Sequence, residues 1–324
     1  MNNEHLLSVK DLVVEYSSEK KIVHAVNGMS FHVDRGRTLG LVGETGAGKT
    51  SVAKAIMQVL PEVSAYVPSG EIIFDGENLM QMSDLKMAKL RGKRISMIFQ
   101  DPMTALNPVQ RIGAQIAEGI LLHNRVSKKE AQQQAVKMLE MVGIRPERYN
   151  DYPHQFSGGM KQRVVIAMAL ACKPELLIAD EPTTALDVTI QAQVLDMIRN
   201  LRDNFQTAMI MITHDLGVVA EICDEVAVVY AGQVVEYGTL EEVFDHPSHP
   251  YTQGLFGALP DVNKKMHRLA AIEGLPPDPT NLPVGCKFAP RCPYATQACR
   301  EQEINMSQLN GTHTCRCINI NREV

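Results

Sequence analysis

An eight-residue glycine-rich stretch, Gly43-Glu44-Thr45-Gly46-Ala47-Gly48-Lys49-Thr50, constrains the fold more than any other feature of the chain. It follows the apolar run 38–42 and precedes residues 51–60, whose pattern is compatible with a helix. Glycines at such a junction let successive backbone N–H groups face an anion, and the helix N-terminus adds partial positive charge. The stretch therefore predicts a phosphate-binding loop, in which Lys49 contacts the β- and γ-phosphates and the Thr50 hydroxyl is a Mg²⁺ ligand.

Length and charge limit the classes of protein to which the 324-residue chain can belong. It has room for one large domain, or for one large and one small domain. The net charge of -5 gives no electrostatic case for binding nucleic acid. The longest apolar run, residues 164–172, is too short to cross a bilayer, and residues 1–5 lack the regions of a signal peptide. We therefore expect a chain that stays in the cytosol.

Three predicted strands end in polar side chains. Residues 94–100 end in Gln100, the buried strand predicted over 176–182 delivers Asp180 and Glu181 near its carboxyl end, and the run 208–213 is followed by His214. Parallel sheets place ligands at the carboxyl ends of their strands, so these side chains are candidates for a nucleotide site.

Each of these polar groups suits one task in phosphate chemistry. We assign Asp180 to the Mg²⁺ shell and Glu181 to polarising the water that attacks the γ-phosphate. The Gln100 amide can reach Mg²⁺ or water, and His214 can donate to the γ-phosphate. An ordinary surface histidine is the alternative for His214.

A second glycine turn, Ser157-Gly158-Gly159, leads into the helix-compatible run 164–171 and is another potential anion site. Two phosphate-binding helix N-termini are hard to use on one nucleotide unless a second copy of the domain supplies one of them. The sequence therefore indicates an enzyme that works as a pair.

The rest of the chain shows where strands and helices alternate. Residues 6–16 and 25–33 predict a small antiparallel layer ahead of the phosphate loop. Residues 101–155 change to helix, with a capping box at 127–130, and predict an inserted helical subdomain. Residues 226–230 and 233–237 predict a closing hairpin.

Taken in order, these motifs resemble the nucleotide-binding subunit of an ABC transporter, and the resemblance covers about residues 5–260. It implies an α/β P-loop NTPase fold of ABC type, with an antiparallel β subdomain and an inserted α-helical subdomain. It also implies that two such domains bind two ATP molecules head to tail, the phosphate loop of one facing the Ser-Gly-Gly turn of the other. Phe156 and Met160 depart from the Leu and Gln that are most often seen around that turn.

By this resemblance Tyr16 stacks on the nucleotide base, although a surface or core tyrosine is the alternative. The residues implied to bind ATP are Tyr16, Gly43, Glu44, Thr45, Gly46, Ala47, Gly48, Lys49, Thr50, Ser51, Ser157, Gly158, Gly159 and Asp187. The implied catalytic residues are Glu181, His214 and Gln100, and the implied Mg²⁺ ligands are Thr50, Gln100 and Asp180.

The segment 246–255 resembles the His-Pro-Tyr segment of ATPase subunits from oligopeptide, dipeptide and nickel importers. We therefore expect an ABC domain over residues 1–260 and a small Cys-rich extension over 261–324, in which a proline-rich linker at 274–279 precedes the cysteines. The expected function is to power import of di- or oligopeptides, with a nickel importer as the alternative. A soluble ABC ATPase acting on ribosomes or chromosomes is less favoured, because the chain has one ATPase domain and no heptads between its motifs.

The same resemblance implies partners and a location. We expect a second ABC ATPase subunit, which is a related, non-identical chain, and two membrane permease subunits. An extracytoplasmic peptide-binding protein would act indirectly, and no nucleic acid is involved. The chain would then lie on the cytoplasmic face of the membrane as a peripheral subunit.

Five of the seven cysteines lie after residue 280, and they suggest a metal site in a cytosolic protein. The gaps between Cys286, Cys292 and Cys299 are too wide for Cys-x-x-Cys zinc knuckles, whereas iron–sulfur ligand spacing is more varied. Resemblance to the dipeptide importer subunit also implies a 4Fe-4S cluster on these three residues and Cys317, with Cys315 as the alternative fourth ligand. Zinc, and thiols that are free or form disulfides, stay open as alternatives.

Overall fold

The computed structural model describes residues 5–18, 21–183, 187–258 and 272–320, without the side chains of Ser18, Pro102 and Met103. Its β-strands are β1 (Leu7–Ser18), β2 (Lys21–Val33), β3 (Thr38–Val42), β4 (Ala65–Phe74), β5 (Glu77–Asn78), β6 (Ile95–Ile98), β7 (Leu176–Asp180), β8 (Ala208–Thr213), β9 (Glu225–Tyr230), β10 (Gln233–Thr239), β11 (Ser307–Asn310) and β12 (His313–Cys315).

Its α-helices are α1 (Lys49–Ile56), α2 (Asp84–Leu90), α3 (Pro102–Ala105), α4 (Ile112–His123), α5 (Lys128–Met141), α6 (Gly158–Leu170), α7 (Val188–Phe205), α8 (Leu216–Ile222), α9 (Leu240–Asp245), α10 (Pro250–Gly257) and α11 (Gln297–Glu301). Short 3₁₀ turns lie at Leu79–Gln81, Pro146–Asn150 and Pro153–Gln155. None of the helices in the described ranges is long and apolar enough to span a membrane.

The chain divides into two compact units that are each assembled from separated segments. Unit 1 comprises Met1–Leu6, Val33–Thr38 and Gln81–Ile212. Unit 2 comprises Leu7–His32, Leu39–Met80 and Thr213–Val324.

Unit 1 contains three parallel strands, with β7 paired to β6 on one side and to β8 on the other. All three are buried along their length, as expected for continuous apolar strands of a parallel sheet. The segment between β6 and α6 contains α3, α4 and α5. The predicted capping box begins α5: Ser127 Oγ accepts from the Glu130 N–H, and the Glu130 carboxylate accepts from the Ser127 N–H.

Unit 2 contains strands of two sheets. One has the order β2-β1-β4-β5, in which β1 and β4 are antiparallel. In the other the order is β11-β12-β10-β9-β3, with β3 and β9 parallel and the predicted hairpin β9–β10 antiparallel. Strand β12 pairs with β10, so the C-terminal segment extends this sheet.

The structure corrects two sequence-based boundaries. The predicted antiparallel layer also includes β4, which follows the phosphate loop in sequence and pairs along most of β1. The helix expected over residues 51–60 ends at Ile56, and Gln58 then takes a left-handed backbone conformation with φ 49°. A left-handed residue cannot continue a right-handed helix, which accounts for the earlier end.

Candidate functional site

The glycine-rich loop joins the buried strand β3 to helix α1. Gly46 and Gly48 have φ values of 84° and 101°, a region that favours glycine. A Cβ atom on Gly48 would lie 2.3 Å from the Ala25 carbonyl oxygen, so no larger residue fits there. Gly48 is also the N-cap of α1 and offers no side chain to the first N–H groups, which suits an anion at this helix end.

Lys49 is held inside the loop. Its side chain is almost fully buried, and Nζ donates to the carbonyl oxygens of Gly43 at 2.6 Å and Glu44 at 3.0 Å. Thr50 and Ser51 follow in the first turn of α1, and the Tyr16 hydroxyl donates to Ser51 Oγ at 3.1 Å. Unit 2 therefore places the predicted phosphate-binding residues and Tyr16 together.

The backbone N–H and the side-chain carboxylate of Glu44 each contact a residue far along the chain. Its backbone N–H donates to the Tyr251 hydroxyl at 3.0 Å. Its carboxylate accepts from both terminal nitrogens of Arg291, at 2.8 and 3.1 Å. Sequence analysis missed both contacts, and the available signals were the His-Pro-Tyr segment and an arginine next to Cys292.

Unit 1 brings Gln100, Asp180 and Glu181 to the carboxyl ends of β6 and β7. Asp180 ends β7 and is 2% exposed. Glu181 has a φ of 48°, unusual for a residue with a side chain, and its N–H donates to the Ile212 carbonyl at 2.9 Å. The Gln100 amide donates to the Glu181 carboxylate at 2.9 Å, and this bond orients the carboxylate.

The second glycine turn, in unit 1, is exposed at Ser157 and Gly158. Ser157 Oγ accepts from the Met160 N–H at 3.4 Å and so caps α6. The turn lines a groove together with Arg163 and Asp187, and Asp187 caps α7 by accepting from the Ile190 N–H at 3.0 Å.

The two departures from the family pattern both contact one arginine. Phe156 is buried, and the Arg148 guanidinium lies 4.3 Å from the centre of its ring. Met160 Sδ accepts from Arg148 at 3.6 Å. Both substitutions therefore pack into the base of the turn. His214 is exposed after β8, at the start of a unit 2 segment, and residues 184–186, which precede Asp187, lie outside the described residues.

Four cysteines of unit 2 line one small cavity. They are Cys286, Cys292, Cys299 and Cys317, and the cavity volume is about 20 Å³. Cys315 is fully buried in β12 and is outside this lining. Burial raises the pKa of the Cys286 thiol, and the nearby thiols of the other three add to the rise. The structure thus brings together the four cysteines that were favoured from the sequence.

The spacing of the four sulfur atoms is wide. All four cysteines belong to the described residues, and no three of their sulfurs lie within 4.8 Å of one another. A single zinc ion holds its sulfur ligands at about 2.3 Å, which brings them within about 4 Å of each other. The cavity is therefore too open for one zinc ion unless the side chains move.

His249 also lines this cavity, and sequence analysis did not single it out. It is 1% exposed, and burial lowers the pKa of its imidazole to about 4, so the ring is neutral. Its Nδ1 accepts from the Tyr251 N–H at 3.1 Å, which leaves the ring proton on Nε2. Among the described residues, Nε2 has no hydrogen-bond partner.

Comparisons with known proteins agree with this geometry. The ABC transporter family model matches residues 26–184, and the model of the oligopeptide/dipeptide transporter C-terminal region matches residues 235–299. A solved dimer of the ATP-binding cassette MJ0796, bound to ADP and Pi, is 24% identical with a TM-score of 0.65, covering 72% of this chain and 98% of that one. The fold and the phosphate loop define an ATPase of the ABC class.

Two related proteins show to which family of ABC ATPases the chain belongs. The oligopeptide transport ATP-binding protein OppD of Bacillus subtilis (strain 168) is 52% identical, over 95% of this chain and 87% of its own length. The dipeptide transport ATP-binding protein DppD of the same organism is 48% identical, over 97% and 94%. The chain belongs to the family of ATP-binding subunits of oligopeptide and dipeptide ABC transporters.

Proposed function

We propose that the chain hydrolyses ATP to power the import of di- or oligopeptides. The observation that carries the proposal is the buried Lys49 ammonium, held by carbonyl oxygens inside a glycine loop at the start of α1. Such a loop fits a polyphosphate, because its N–H groups and the ammonium both face an anion. The high identity to two peptide transport ATP-binding proteins supports peptides as the cargo.

Each predicted site residue has a separate role in ATP binding or hydrolysis. Lys49 and the N–H groups of the loop bind the phosphates. Glu181 accepts the proton of the attacking water, and Gln100, hydrogen-bonded to that carboxylate, orients it. His214 contacts the γ-phosphate and Tyr16 the base.

Mg²⁺ fits the donor set that we assign to it. Thr50, Gln100 and Asp180 offer a hydroxyl, an amide and a carboxylate oxygen, which are ligands that this ion prefers. The ion supplies positive charge to the phosphates when bound. Ser157, Gly158, Gly159 and Asp187 would complete the site of a neighbouring ATPase chain.

Partners and location follow from the same proposal. The exposed Ser157 turn would face a second ATPase subunit, which is a related, non-identical chain. Two permease subunits would hold the pair at the cytoplasmic face of the membrane, and an extracytoplasmic peptide-binding protein would act indirectly. The proposed domains are 1–260 and 261–324, and the boundary between them falls in residues 259–271, which lie outside the described residues.

The test is uptake of a labelled dipeptide, a longer oligopeptide and nickel by source cells that carry Glu181→Gln. Loss of peptide uptake alone is the expected result. If peptides still enter and only nickel uptake is lost, the peptide assignment is wrong and the nickel alternative replaces it.

We further propose that Cys286, Cys292, Cys299 and Cys317 hold a 4Fe-4S cluster. Two features support it: the four thiols share one cavity, and the buried His249, whose Nε2 carries the ring proton and has no hydrogen-bond partner among the described residues, lines the same cavity. Four thiolates suit such a cluster, and a hydrogen bond to its sulfurs would tune its potential. Cys317 is preferred to Cys315 because only Cys317 lines the cavity.

Iron and acid-labile sulfide analysis of anaerobically purified protein tests the cluster. The expected content is about four iron atoms per chain. Cys317→Ser should lower it sharply, whereas the matched variant Cys315→Ser should retain it. One equivalent of zinc without sulfide, or no metal at all, would exclude the cluster.

A further inference from the structure

The C-terminal segment holds one side chain of the phosphate loop through a buried arginine. Arg291 has a side chain that is 5% exposed, and it binds the Glu44 carboxylate with two parallel hydrogen bonds of 2.8 and 3.1 Å. Paired contacts of this kind are both stronger and more directional than a single ion pair. The carboxylate in turn raises the pKa of Arg291, which stays charged.

Arg291 is fixed by several further contacts. Its guanidinium donates to the carbonyl oxygens of Ile272 and Glu273, at 3.3 and 3.1 Å, and to the Tyr230 hydroxyl at 3.3 Å. Its backbone N–H donates to the Phe288 carbonyl at 3.0 Å. The arginine therefore keeps one position relative to its neighbour in sequence, Cys292.

Beneath Arg291, three aromatic rings pack against one another. Phe288 meets Tyr230 edge to face with ring centres 5.2 Å apart, and Tyr251 lies 4.6 Å from Tyr230. The Tyr251 hydroxyl accepts the Glu44 N–H. Glu44 is thus held at its backbone and at its carboxylate by the same rigid cluster.

The negative charge of Glu44 bears on how tightly the loop can bind ATP. Glu44 is the only acidic residue of the loop Gly43–Thr50, and ATP is a polyanion. An uncompensated carboxylate about 12 Å from one phosphate charge would weaken ATP binding by about tenfold, taking an effective dielectric constant of ~20. Arg291 cancels that charge.

We propose that Arg291 is a positioning residue of the ATP site, through which the cysteine-bearing segment sets the affinity of the phosphate loop. The inference rests on the proposed role of residues 43–50 in binding phosphates. It makes ATP affinity depend on how residues 286–292 hold Arg291 in place.

The experiment is a double-mutant cycle on affinity for a non-hydrolysable ATP analogue, measured by equilibrium dialysis on the full chain. Arg291→Met should weaken binding about tenfold. Adding Glu44→Gln should restore affinity to within about twofold of the native chain, because the repelling charge is gone. If Arg291 only supports packing, the double variant binds as weakly as the single one, and the inference is wrong.

Controls separate this result from misfolding and from failure of the proposed function. Arg300→Met removes an exposed arginine of the same segment and should leave affinity unchanged. Arg291→Lys keeps the charge and should cost about threefold or less. Cys292→Ser should weaken binding in the same direction as Arg291→Met. Native affinity in Arg291→Met overturns the inference alone, whereas a native chain that binds no nucleotide overturns the proposed function.

Discussion

The two glycine turns that begin α1 and α6 differ in how they are completed. The phosphate loop before α1 has a glycine N-cap without a side chain, a buried lysine, and a glutamate held by residues more than 200 positions away in sequence. The turn before α6 is capped by its own Ser157 and stays exposed.

This difference separates two kinds of anion site. Lys49 and the loop around it are complete within unit 2, so an isolated chain should bind nucleotide there. The Ser157 turn is exposed at Ser157 and Gly158 and offers its surface to another molecule. The predictions below test whether the first turn serves binding and the second serves pairing.

The largest expected effect is on hydrolysis, which needs both turns. Glu181→Gln removes the proposed proton acceptor and should lower ATP turnover by about 10²-fold or more. ATP binding should persist, and size-exclusion chromatography of the variant with its related partner chain and ATP should then show a stable pair of ATPase chains. Glu140→Gln, an exposed change on α5, is the matched control. Turnover close to the native rate would refute the role of Glu181.

A large effect on affinity should be confined to the first turn. Lys49→Ala removes a buried ammonium from the phosphates and should weaken ATP binding to the isolated chain by about 10²-fold. Lys161→Ala, beside the second turn, should change it by less than about twofold. Equal losses in an equilibrium-binding assay would remove the distinction between the turns.

Replacing one glycine in each turn should lower the free energy of unfolding by different amounts. Gly48→Ala forces a side chain into a left-handed position 2.3 Å from a carbonyl oxygen, and should lower the free energy of unfolding by about 2 kcal/mol or more. Gly158→Ala meets no atom within 4 Å, and at the start of a helix it should change stability by about 0.5 kcal/mol or less. Urea unfolding midpoints compare the two, and similar losses would contradict the geometry.

The smallest expected effect concerns the helix caps. Ser157→Ala and Ser127→Ala each remove a capping oxygen, and each should cost about 1 kcal/mol of stability. Only Ser157→Ala should also reduce ATP-dependent pairing, measured in the Glu181→Gln background. If Ser127→Ala reduces pairing as much, the second turn has no special role.

Features encoded by neighbouring residues were predictable from the sequence. Strand β8 has the predicted bounds, and β7 begins at the predicted residue but ends at Asp180, two residues early. The capping box of α5 is present, since apolar runs and caps depend on local spacing. The glycine loop lies where the motif indicates, between β3 and α1.

Contacts between distant segments were not predictable. Arg291 and Glu44 are 247 positions apart, and no local pattern links an arginine near a cysteine to a loop glutamate. From the sequence, His249 is only one residue of a motif. Among the described residues its buried Nε2 has no hydrogen-bond partner, and that depends on tertiary packing. Cys317 was already favoured over Cys315 by family resemblance, and the structure adds that Cys315 is buried in β12 whereas Cys317 lines the cavity.

The pairing of β12 with β10 has a consequence for shortened forms of the protein. Tyr237 and Glu236 of β10 face Thr314 and Cys315 in register, and His313 Nε2 donates to the fully buried Glu236 carboxylate at 2.8 Å. A chain cut before β11 would expose the β10 edge as a template for intermolecular strand addition and would leave that carboxylate without its histidine. Minimal ATPase fragments of this protein should therefore aggregate even where their nucleotide site is intact.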